Sequence, residues 1–189
     1  ADQLDLTPNK IQTWKGFVGW DNSDVKRLRA LAPALHTLEA SPTEAFRANL
    51  EAHEEAADAI GNSSTDIDEF ADIQQSQLDS VVDSEYGESH FASRAGLGAF
   101  LDESDIPLRH YIGQLGIHFE LLSEATTEQT ETEVTQILDE AGVADSTIKE
   151  VQDEIQRNNE TLLSAFKLFS LDSQTVVESH LRNREIAYE

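Results

Sequence analysis

Residues 108–122 read LRHYIGQLGIHFELL, and the spacing of their apolar side chains decides the fold class. Leu108, Tyr111, Ile112, Leu115, Phe119 and Leu122 recur at steps of three and four, which places them on one face of an α-helix. Pro107, just ahead, suits a first turn, where its missing N–H is no loss. Upstream, Val25, Leu28, Ala32, Leu35 and Leu38 repeat the pattern. So do Ile67, Phe70, Gln74, Leu78 and Val81, with Ile73 one step off the row, and Ser63, Ser64, Thr65 and Asp66 offer capping oxygens at its start. Downstream the period becomes seven: Ile148, Ile155, Leu162, Phe169 and Val176. Val151 and Ala165 stand three beyond, while Asn158 and Asp172 interrupt that second row. A half-polar heptad seam suits a bundle contact better than a long free coiled coil. No sustained alternation and no Asn-Gly or Asp-Gly hairpin signal occurs, so the chain reads as all-α.

Few segments break these patterns. Residues 1–9 form a polar lead-in, Gly61 to Ser64 a loop, and Asp102 to Pro107 a short acidic turn. Residues 123–133, rich in Thr and Glu, have little to bury and read as a polar connection or a solvated helix end. Nothing resembles a linker between domains, so the 189 residues are expected to form a single domain.

Composition narrows the function. The 37 acidic against 13 basic residues give a formal charge of −24, which repels nucleic acid and anionic membranes. With 39% hydrophobic residues the chain can still bury a core. The acids are dispersed and only five residues are Lys, the surface expected of a halophilic protein whose self-repulsion is screened by salt. Without cysteine there is no disulfide framework, thiolate nucleophile or cysteine metal site. No apolar run reaches membrane-spanning length and the start lacks signal-peptide character, so a cytoplasmic protein is expected. The absence of Met reads as that of an excised domain.

No catalytic motif is present, and an enzyme is not expected. Gly96-Leu97-Gly98 follows no strand and lacks a third glycine, and no nucleophile elbow, phosphate loop or His-Glu-x-x-His pair occurs. The six histidines, His36, His53, His90, His110, His118 and His180, include no pair four apart on a helix, so no metal site is expected. His90, beside Phe91 near a helix start, reads as a capping or exposed residue.

The order of several motifs resembles the globin-coupled sensors, and among them the haem-based aerotaxis transducers of halophilic archaea. Phe17-Val18-Gly19-Trp20-Asp21 ahead of the helix from Val25 is similar to the family's entry segment. Pro33 with Phe46 and Leu50, the Asn62-Ser63 loop and Ile67, Phe70, Gln74 and Leu78 follow in family order. Arg94 and Gly98 then precede Tyr111-Ile112-Gly113, and the likeness resumes at residues 167–174. It implies a globin-like helical bundle with an extra N-terminal helix, and a homodimer formed through the last helices. Ile155, Leu162, Phe169 and Val176 would lie in that interface. Residues 180–189 would lead into an output domain, often a chemotaxis signalling module in the relatives.

The resemblance also implies what is replaced. The family's haem-ligating histidine lies three residues after the glycine matching Gly98 and ten before the tyrosine matching Tyr111; both counts fall on Leu101. Leucine has no donor for iron. The family's distal tyrosine corresponds to Arg47 and its distal threonine to Ile73. Haem binding is therefore not expected, and the domain reads as a haem-less sensor for a stimulus other than oxygen. A pocket lined by Phe46, Arg47, Leu50, Phe70, Ile73, Leu97, Leu101, Tyr111 and Leu115 would take an apolar or amphipathic ligand, with Arg47 at its mouth for an anion. Two alternatives stay open: a haem-binding gas sensor using His118, which shares a helical face with Tyr111 and Leu115, and a plain dimerisation module.

Overall fold

In a computed structural model of the chain, residues 6–38, 41–62, 66–104 and 106–188 are described, with side chains through 177. Among them are eight α-helices and no strand: α1 (Pro8–Phe17), α2 (Asn22–His36), α3 (Pro42–Glu51), α4 (Glu54–Gly61), α5 (Ile67–Asp83), α6 (Glu88–Glu103), α7 (Leu108–Glu140) and α8 (Asp145–Tyr188). The all-α expectation holds. No helix among the described residues is long and apolar enough to cross a membrane.

Local chemistry sets the boundaries. Thr7 caps α1 by accepting from the Lys10 N–H, and Pro8 opens the first turn; the expected lead-in thus gives way to helix at residue 8. The carboxylate of Asp66 caps α5 by accepting from the Glu69 N–H at 2.7 Å, and Ser63 to Thr65 lie outside the described residues. Gly61 is the last residue of α4 rather than loop, with Asn62 as its cap.

The helices divide into two compact units. In the first, residues up to 32 and 41–110, α3 packs on α5, α4 on both, and α1 on α6. Phe46, Leu50, Ile60, Phe70 and Leu78 are fully buried there. Each such side chain contributes roughly 1.5–3 kcal/mol relative to exposure.

The second unit, residues 33–40 and 111–189, holds most of α7 and all of α8. The two form an antiparallel hairpin. Gln152 donates to Thr135, Asn159 to Thr127 and Ser170 to the Ile112 carbonyl, while Phe166 stacks on Phe119 with centroids 4.7 Å apart. The break between the helices corrects the sequence reading. Residues 123–133 are interior turns of α7, with Ala125 and Thr127 buried. The real break is at Ala141–Ala144, where Gly142 takes φ +70° and the Val143 N–H reaches back to the Leu138 carbonyl at 3.0 Å. That is the glycine-terminated helix end known as a Schellman motif.

Candidate functional site

Leu101 lies in the last turn of α6, buried, with 4% of its surface exposed. Its carbonyl accepts from the Ile106 N–H, which anchors the turn after the helix. Leu97, one helical turn earlier, and the adjacent Phe100 join Ile73, Ser76, Gln77, Ser93 and Gly96 around a cleft of about 320 Å³ between α5 and α6. Ile73 and Leu97 thus share this cleft. Phe46, Leu50 and Phe70 are fully buried core of the same unit and do not line this cleft. Tyr111 and Leu115 are half-buried on α7 in the second unit.

Arg47 is placed elsewhere. It lines a separate depression with Glu51, Gly61, Asp66, Ile67 and Asp68, away from Ile73 and Leu97. Its guanidinium turns to the Asp68 carboxylate, with Nη2 2.6 Å and Nε 2.7 Å from Oδ1. The cation expected to hold an anion already faces one.

His118 is buried on α7, and its Nδ1 lies 3.1 Å from the Gln114 carbonyl oxygen one turn back. His53 makes a similar local contact to the Asn49 carbonyl at 2.7 Å. The side chain of His180 lies outside the described residues. Of the expected interface positions, Ile155 is half-buried, while Leu162, Phe169 and Val176 are 57%, 61% and 67% exposed.

A further concavity in the first unit is one the sequence reading missed. A cleft of about 400 Å³ is walled by Trp14, Trp20, Leu28, Val81, Tyr86 and Phe91, with Lys15, Val18, His90 and Arg94 completing it. Chain geometry assembles it. Gly19, at φ +70°, ends α1 in a second Schellman motif, its N–H bonding Gly16 and the Trp20 N–H bonding the Lys15 carbonyl at 2.8 Å. This folds Trp20 back until its ring lies 5.1 Å from that of Tyr86. Tyr86 itself has φ +50°, a left-handed conformation costly for a bulky residue, and its hydroxyl donates to the Val81 carbonyl. Trp14 meets Phe91 edge-on at 6.3 Å.

His90, expected as a cap or surface residue, is instead half-buried between the rings of Tyr86 and Phe91. Burial, and then the positive charges of Arg94 and Lys15, push its pKa below the ordinary 6.5. The sequence signal for this cleft is an interruption in the acidity. Residues 6–20 contain no Asp or Glu, yet hold both tryptophans and two lysines.

Compared with known proteins, residues 7–185 match the family described as Protoglobin. No curated protein and no solved structure matches the chain.

Proposed function

The chain belongs to the protoglobin family, and on that premise we propose that it is a haem-less sensory or regulatory globin domain of a cytoplasmic signal transducer. Its stimulus is something other than oxygen. One observation carries the reading: the position matching the family's iron ligand is Leu101, a buried aliphatic side chain on α6. Haem iron is held by an axial His, Cys, Met or Tyr, and the donor set here does not fit it. Arg47, at the distal-tyrosine position, pairs with Asp68, and Ile73, at the distal-threonine position, has no polar atom to hold a bound gas.

The output of such a domain runs through α8. Leu162, Phe169 and Val176 leave an apolar row uncovered, which a second copy related by a two-fold axis would bury. A shift at that interface would pass the signal to an output module.

Absorption spectroscopy of the purified chain incubated with hemin in molar salt tests the haem-less reading. No specific Soret band is expected from protein that circular dichroism shows to be helical. A sharp Soret band at one haem per chain, moving with carbon monoxide after reduction, would overturn it. Loss of that band in His118→Ala would then assign the iron to the buried histidine of α7.

A further inference from the structure

We propose that the aromatic cleft formed by α1, α2, α5 and α6 is a binding site for a small aromatic carboxylate. The site is distinct from the Leu101 region, and none of its lining residues belongs to the pocket expected there.

The walls select the body of the ligand. Trp14, Trp20, Tyr86 and Phe91 surround a volume of about 400 Å³, which suits a ligand of one or two rings. Their tilted and edge-on arrangement presents both ring faces and ring edges, the contacts an aromatic guest makes best. The guest finds these walls already in place. The Tyr86 ring is fixed by its hydroxyl bond to Val81, and Trp20 by the glycine-terminated end of α1.

The charges select the head group. An aromatic cage can hold a cation through ring faces, but here the lining itself supplies the cations. Lys15 Nζ stands 5.9 Å from the Phe91 centroid, with no ion pair among the described residues. The Arg94 guanidinium is fixed by the Gln77 carbonyl at 2.9 Å and the Ser80 hydroxyl at 2.6 Å. Among the described residues no carboxylate lines the cleft, in a chain carrying 37 of them. His90, whose pKa is lowered first by burial and then by Arg94 and Lys15, stands beside the same two cations. A positive, aromatic concavity takes an anion with an aromatic body.

Trp14 and Trp20 are the only two tryptophans, so fluorescence excited selectively at tryptophan reads this cleft. Titration with phenylacetate is expected to change the emission saturably. Phenylacetamide, with the same ring and no charge, should bind about tenfold more weakly or worse, and Lys15→Gln should weaken phenylacetate by a similar factor. Lys15 is half-exposed, and circular dichroism confirms that the variant is folded. An emission unchanged through millimolar phenylacetate overturns the proposal. So does equal binding of acid and amide, or an affinity unaltered by Lys15→Gln.

Discussion

Gln74 lies on the buried face of α5 with Phe70 and Leu78, fully enclosed. Neither its Nε2 nor its Oε1 meets a hydrogen-bond partner among the described residues. A buried amide in that state forgoes its hydration without replacement, at a cost of about 1–3 kcal/mol. Gln74→Leu keeps the volume and removes the polar atoms, so it should raise stability by a similar amount in chemical denaturation. A loss of stability would mean that an internal water satisfies the amide. His90 offers a second reading at this scale. Because burial favours its neutral imidazole, the folded chain binds this proton less tightly than the unfolded chain. Stability is therefore withdrawn as pH falls through 6.5, and an NMR titration of the His90 ring should show a midpoint below that value. The sequence identified His90 as a lone histidine beside Phe91 but not its burial. Its ring neighbour Tyr86 comes from a turn whose left-handed residue no local pattern announces.

The long C-terminal helix shows how one period can cross from a packed face to an uncovered one. Residues spaced by seven drift by roughly 20° per repeat around a straight α-helix. The row begun at Ile148 therefore leaves the packed face: Ile148 is buried, Ile155 half-buried, and Leu162, Phe169 and Val176 exposed. The face that meets α7 runs instead through Gln152, Asn159, Phe166, Ser170 and Gln174, mostly polar and so invisible to an apolar count. The same blindness turned the buried Ala125 and Thr127 segment into an expected connection, although Ala141-Gly142 carried the true stop signal. In α5, by contrast, Phe70 and Leu78 were legible because the stripe was apolar and local. The two faces of α8 separate experimentally. Leu162→Glu or Phe169→Glu should leave helicity intact while lowering the mass seen in sedimentation from dimer towards monomer, with only the stability that association supplies lost. Ile148→Ala, on the packed face, should cost about 2–5 kcal/mol of stability. Unchanged sedimentation of both charged variants would remove the apolar row from the assembly.

At the scale of the molecule, charge sets the conditions under which any of this can be measured. A formal charge of −24 on 189 residues opposes compaction, and the few cations cannot offset it locally. The ion pairs of Arg27, Arg29, Arg47, Arg109, Arg157 and Lys167 all involve side chains at least partly open to solvent, where each contributes about 1 kcal/mol or less. What remains is repulsion among carboxylates, whose range is about 10 Å at 0.1 M salt and about 3 Å at 1 M. The melting temperature should therefore rise with KCl and level off near molar concentration, once the screening length falls below the spacing of surface charges. Two outcomes discriminate. A melting temperature indifferent to KCl would mean that repulsion is not what limits the fold. A rise that continues beyond 1 M and is larger for sulfate than for chloride at equal ionic strength would reflect strengthened apolar burial instead. Lowering the pH towards the pI near 4.3 also relieves repulsion, but that path crosses the range where protonation of His90 works against the fold. Salt, which screens the repulsion, and acid, which neutralises it, should thus stabilise unequally, and His90→Phe should bring the acid response closer to the salt response.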